Sequence, residues 1–369
     1  MADPLARRYR RLLIAYPRAY RRARGDELLG ALLEAAPSDR TRPTPRETVD
    51  LLRHGLRARL GRPASRSVVA WAILTAVISG VFAAAFASRA AWETARPLPR
   101  PAEARAMLAE IVPGQEFTDV TDAPALFVIY GQPLGWEAAD DMLLGDGGEY
   151  AQAGVGGATP LPAGTSPAEM VARIHTNLRA HGWTTYPDLT HDMYGCVGPP
   201  CDPTAIPVGT TVTARRGDTV FTVDVNPTYT GNPGALWATF QRAAPIAVRP
   251  AALAGGLAGA VVAFFLFGWA SRRTEGGHPV GGLVKLLTGV ALFLWWVPAV
   301  LAAPTMLWHH FAEPHPSWHP MWEWLGQPTF SLFFVVGCGA ALLAVALAAA
   351  AAPAPRRPEA PVSRGVAGS

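Results

Sequence analysis

Lysine is almost missing from this chain. Lys285 is the only one among 32 basic residues, and the other basic side chains are arginines. Three cysteines in 369 residues exclude a disulfide-dense miniprotein. Charged residues make up 16% of the chain, well below the roughly 25% of an average soluble domain. That leaves too few surface groups for a single soluble globule, and with 50% hydrophobic residues the chain is no disordered tail either. The familiar catalytic signatures are also absent: no Gly-x-Ser-x-Gly elbow, no Gly-x-x-x-x-Gly-Lys-Ser/Thr phosphate loop and no His-Glu-x-x-His helix occurs.

Long apolar runs are what the chain has. A hydrocarbon core about 30 Å thick is crossed by roughly 20 apolar residues in a helix, and four runs qualify: 67–87, 251–270, 281–303 and 329–352. Unpaired backbone groups are too costly in lipid, so each run is expected to be helical. Lys285 and the Cys338 thiol are the only ionisable groups inside them, which argues against an ion path, since transporters carry buried polar groups. The first run resembles a signal peptide at Ala85-Phe86-Ala87, but the charged segment before it fits an uncleaved anchor.

Threading follows from the arginines. Residues 1–66 hold 16 Arg against 7 acids, residues 88–247 hold 9 Arg against 17 acids, and 304–328 hold no Arg or Lys. Arg272 and Arg273 follow the second run, and Arg356, Arg357 and Arg364 follow the fourth. The expected layout is a bacterial plasma-membrane protein with both termini cytoplasmic. A basic helical head (1–66) and a disordered tail (353–369) lie inside with the connection 271–280. An α+β domain (88–250) and a His/Trp-rich loop (304–328) lie outside.

In the head, Leu5, Tyr9, Leu12, Leu13 and Tyr16 fall on one face of a first helix. A second helix reaches Ala36 through Leu28, Leu29, Leu32 and Leu33. Thr44-Pro45-Arg46-Glu47 is a capping box, and it opens a third helix whose Val49, Leu52, Leu56 and Leu60 are expected to face inward. Arg7, Arg8, Arg10, Arg11, Arg21 and Arg22 are read as facing anionic lipid, worth about 1 kcal/mol each near such a surface, and not as contacts to nucleic acid. The stretch Tyr9-Arg10-Arg11-Leu12-Leu13, Tyr16-Pro17-Arg18-Ala19-Tyr20-Arg21 and Asp26-Glu27-Leu28-Leu29 resembles the cytoplasmic prefix of many membrane proteins of high-GC bacteria. Its layout is similar to permease-prefix and HAAS helical modules. HAAS modules are encoded near PadR-type repressors, so the resemblance implies a membrane-linked regulatory or accessory role.

In the 88–250 segment, helices are expected over 102–112 and from the capping box Ser166-Pro167-Ala168-Glu169 to Gly182, with strands at 123–130 and 183–186. Thr210–Ala214 and Thr219–Val225 read as a hairpin. The Arg216-Gly217-Asp218 between them is read as its turn, not as an adhesion tripeptide. The Gly-rich 146–164 reads as a loop, and 234–244 as a last helix. Cys196 and Cys201 enclose a Gly-Pro-Pro turn and are expected to form a disulfide outside the cell, in preference to a metal site with His191 and Asp192.

Four histidines, His309, His310, His315 and His319, share the outer loop with four tryptophans. They are candidate Zn or Cu ligands, weighed against an aromatic belt at the headgroup level. Gly255 and Gly259 offer a smooth helix face. The expected function is non-enzymatic and needs no cofactor: a membrane-anchored sensor or accessory protein whose partners are the bilayer and a cytoplasmic regulator or other membrane subunit. A transporter component and a metal-binding envelope enzyme are the alternatives.

Overall fold

A computed structural model describes residues 4–37, 39–61, 66–123, 126–129, 148–151, 153–193, 206–228, 233–275, 279–312 and 332–351. Among the described residues, four helices are long and apolar enough to cross a membrane: α4 (Arg66–Trp92), α7 (Val248–Arg273), α8 (Gly281–Ala312, through Leu301) and α9 (Leu332–Ala350). The chain groups into two compact units. One comprises 1–79, 260–293 and 336–369; the other comprises 80–259 and 294–335.

The first unit contains the head, made of α1 (Pro4–Leu12), a 3-10 turn (Leu13–Ala15), α2 (Arg18–Glu34) and α3 (Pro45–Arg59). Leu5, Tyr9, Leu13, Tyr16, Leu29 and Leu51 form its core. The capping box at Thr44 is present, with the Glu47 N–H donating to Thr44 Oγ1 at 3.2 Å and the Thr44 N–H donating to Glu47 at 3.0 Å. The docked face of α3 differs from the expected one. Leu51, Gly55 and Leu60 are buried, whereas Val49, Leu52 and Leu56 are exposed. The reason is close approach: a Cβ on Gly55 would lie 2.7 Å from Ala15 Cβ and 3.0 Å from Tyr16. The smallest residue of α3 therefore marks the contact, and apolar spacing alone misassigns it.

The second unit holds an antiparallel sheet domain. Its strands are β1 (Thr118–Ala123), β4 (Gly154–Pro160), β5 (Thr184–Thr185), β6 (Leu189–Asp192), β7 (Val208–Arg216), β8 (Thr219–Asn226) and β9 (Ala235–Arg242). They run in the order β1-β4-β9-β8-β7-β5, and β6 also pairs with β7. A separate pair joins β2 (Leu126–Ile129) to β3 (Gly148–Ala151). Helices α5 (Pro101–Ile111) and α6 (Pro167–Ala180) supply Ala104, Leu108, Ile111, Met170, Ile174 and Leu178 to one core with Val212, Phe221, Val223, Val225, Leu236 and Phe240. Trp183, Phe221 and Phe240 meet within it at ring separations of 5.0 to 6.2 Å. The hairpin is as expected: Arg216 pairs with Thr219 across Gly217 and Asp218, and Gly217 has φ +65°.

Two expectations for this domain are corrected. Residues 234–244 hold the strand β9, not a helix. Leu236, Ala238 and Phe240 alternate into the core, a period of two. Much of 146–164 is strand, not loop, since β3 and β4 occupy it. β4 lies between β1 and β9, and its glycines fit that place. A Cβ on Gly156 would lie 2.2 Å from Ala238 O, and one on Gly157 would lie 2.8 Å from Thr118 O. Glycine weakens a strand by propensity, so only its neighbours' demand for space explains this one.

Helix α8 also runs past its expected end. Pro298 and Pro304 lie inside it, and it continues to Ala312. Its 32 residues extend about 48 Å at 1.5 Å per residue, longer than a hydrocarbon core.

Candidate functional site

No group of three His, Cys, Asp or Glu side chains comes together among the described residues. The chemistry of the first unit lies instead at helix ends. The last carbonyls of a helix have no partner within it and carry partial negative charge, and three arginines serve as caps there. Arg59, at the end of α3, donates through Nε to Ala15 O at 2.6 Å and through Nη2 to Ile14 O at 2.7 Å, closing the 3-10 turn. Its guanidinium stands 5.1 Å from the Phe265 ring on α7. Burial first, then the nearby Arg21, pulls the Arg59 pKa down from its usual value.

Arg272, at the end of α7, donates in turn to Arg59 O, and Ser271 Oγ donates to Leu60 O at 2.8 Å. Arg273 caps the end of α9, donating to Ala348 O at 2.8 Å and Ala349 O at 3.0 Å. Gly268 lets this junction close, since a Cβ there would meet Arg59 O at 3.0 Å. The end of the head is therefore fastened by hydrogen bonds to the end of α7. In the sequence Arg272 and Arg273 stand out only as charges following an apolar run; the carbonyls they cap come from distant segments.

A second polar cluster stabilises the head. Glu47 accepts from the Thr44 N–H, from Tyr9 Oη at 2.9 Å and from Arg40 Nη1 at 2.8 Å. The Thr44 N–H, then Tyr9 and Arg40, hold its carboxyl below the usual carboxylate range against an opposing push from partial burial. Burial, then Glu47, raises the Tyr9 phenol above its ordinary value. A carboxyl depressed by folding contributes stability above its unfolded pKa, and that contribution disappears as pH falls through the folded one. Hydrogen-exchange protection of residues 4–59 in the full chain should therefore decline below about pH 4, and Glu47→Gln should flatten that dependence. The raised phenol works the other way: its contribution is complete below about pH 10 and disappears as pH climbs through the folded value.

In the sheet domain, His175 Nε2 meets Asp188 at 2.8 Å, and Arg216 lies 4.6 Å above the Trp183 ring. The first ties α6 to the connection between β5 and β6, and the second ties the turn after α6 to β7.

The chain matches no family model, no curated protein and no solved structure.

Of the arginines read as lipid-facing, Arg7, Arg10, Arg11 and Arg22 are exposed. Arg8 and Arg21 are half-buried, and Arg8 donates to Thr41 O at 3.1 Å. Gly255 meets α4, where its Cβ would lie 2.3 Å from Ala87 Cβ, and its neighbour Gly256 meets Ala84 at 3.2 Å. Gly259 is on the same helix. His309 and His310 fall in the last turn of α8 beside exposed Trp308 and Phe311. Cys196 and Cys201 of the expected disulfide, and His315 and His319 of the four-histidine site, lie outside the described residues. His191 and Asp192 lie on β6, paired with Gly209 and Val208.

Proposed function

We propose that this chain is a multi-pass protein of a bacterial plasma membrane that acts without catalysis, as a sensor or accessory subunit. The sheet domain reads an external ligand, protein or pH, and the head passes the result to a cytoplasmic regulator or another membrane subunit. The observation that carries this reading is the fastening of Arg59 and Leu60 to Ser271 and Arg272. Helix α7 follows β9 after only residues 243–247. A load on the sheet's central strand therefore reaches α7 through a short connection, and from α7 reaches the head through fixed hydrogen bonds.

The placement of both ends inside the cell rests on charge: 16 Arg in residues 1–66 against the excess of acids in 88–247. The grouping of the head with residues 271–275 in one compact unit supports the same threading, since both are assigned to the interior. The likeness of the first 60 residues to prefix modules supports a membrane-linked regulatory or accessory role.

Alkaline phosphatase fused after Ala243 should be active, and fused after Arg356 inactive; the reverse pattern would refute the threading. Removing residues 4–60 should abolish co-purification of the cytoplasmic partner or alter transcripts that respond to the protein. An unchanged set of partners and transcripts would end the regulatory reading.

A further inference from the structure

A half-open cavity of about 280 Å³ lies in the first unit among the head-side ends of α4, α7 and α8. Its lining combines Trp71 and Phe267 with Ser67, Ser271, Thr274, Lys285 and Thr288. Lys285 is the only charged residue in that lining and the only lysine of the chain. No ion pair among the described residues includes it. It stands in the second turn of α8, whose amino end adds partial positive charge.

The hydroxyls have a definite polarity. Ser271 donates to Leu60 O at 2.8 Å, Thr274 to Ala270 O at 2.9 Å and Thr288 to Val284 O at 2.7 Å. With their hydrogens committed, these oxygens offer lone pairs and act as acceptors. The cavity thus presents one cationic donor, at least three hydroxyl acceptors and two aromatic side chains. Its volume approaches the roughly 300 Å³ at which small-molecule pockets begin, room for a headgroup but not for a whole lipid.

We infer that this cavity binds the headgroup of one anionic phospholipid, with its phosphate on Lys285 and its hydroxyl hydrogens on Ser271, Thr274 and Thr288. The acyl chains leave along Trp71 and Phe267. The ligand class follows from the combination. A bare inorganic anion would leave the acceptors and aromatic walls unused, and a zwitterionic choline head offers no hydroxyl hydrogen. The inference rests on the reading of α4, α7 and α8 as spans, but not on any signalling role or on which end faces the cytoplasm.

The test is native mass spectrometry of the full chain in detergent, delipidated and then titrated with short-chain phosphatidylglycerol, short-chain phosphatidylcholine or glycerol phosphate. One phosphatidylglycerol should bind per chain, with about tenfold weaker binding for phosphatidylcholine and for the Lys285→Gln variant. Lys285→Arg should retain binding, whereas Ala270→Phe, which fills the cavity and keeps the lysine, should lose it. Equal lipid binding by wild type, Lys285→Gln and Ala270→Phe would overturn the site. Displacement of the lipid by glycerol phosphate at matched concentration would overturn the lipid as its source. Resistance of each variant to carbonate extraction, measured in parallel, separates failure of the site from failure of membrane insertion.

Discussion

Replacing Gly156 by valine is expected to unfold the sheet domain. The new Cβ would lie 2.2 Å from Ala238 O and 3.0 Å from Thr239 Cα, both backbone atoms of the adjoining strand. A side chain in conflict swings to another rotamer, but a strand paired on both edges has no such freedom. β9 is paired to β4 over seven positions and to β8 over eight. Relief therefore requires breaking a ladder. Overpacking against movable side chains costs about 1–3 kcal/mol, and this contact should exceed that range, approaching the 5–15 kcal/mol stability of a typical domain. Limited proteolysis of the full chain should show rapid cutting between residues 93 and 247, with the head still protected. Gly30→Ala is the control: nothing lies within 4 Å of the added Cβ, and a helix gains up to about 1 kcal/mol from that change. A Gly156→Val protein as resistant as wild type would disprove the tight placement of β4.

The second large effect is expected at Arg59. Substitution by methionine keeps most of the aliphatic length but removes the donors to Ile14 O and Ala15 O and the cation above Phe265. Hydrogen bonds to charged groups are worth about 1.5–3 kcal/mol each, and partial solvent access reduces that. The α3 end of the head should thus be destabilised by about 2–4 kcal/mol. Carbonyls at the end of a helix turn would then stand without their donor. The expected readout is faster hydrogen exchange over residues 13–16 and 51–60, with the sheet domain unchanged. Arg59→Lys should recover little, because one ammonium does not span the two carbonyls as the planar fork does. Exchange equal to wild type would show that packing alone holds the head. If Arg59→Met also abolished the effect of the head on partners or transcripts, the junction would be the route of coupling.

Patterns that repeat within one element could be read from the residues alone. The apolar runs, the capping boxes at Thr44 and Ser166, the inward faces of α6 and β8 and the Gly217 turn all depend on neighbours along the chain. Such signals are local, since a helix or strand repeats its own face every few residues. Leu51 and Gly55 as the buried face of α3, the strands over 148–160 and the strand at 235–242 were not legible in this way. For Gly55 and the glycines of β4 the deciding partner is remote: Ala15 for Gly55, and Ala238 and Thr118 for β4.

The candidate sites divide similarly. Lys285 stands out in the sequence because it is the only lysine, and the arginines beside the runs mark a side of a membrane. That Lys285 shares a cavity with Trp71 and Thr274, or that Arg272 caps the head's last helix, depends on chain segments some 200 residues apart. Composition and periodicity by themselves determined four apolar helices, a basic head and a separate acidic domain, because water and hydrocarbon act on each residue independently. Which helix ends meet, which glycines are squeezed and where a headgroup fits were decided only by tertiary packing, because two surfaces must coincide in space before either has a partner.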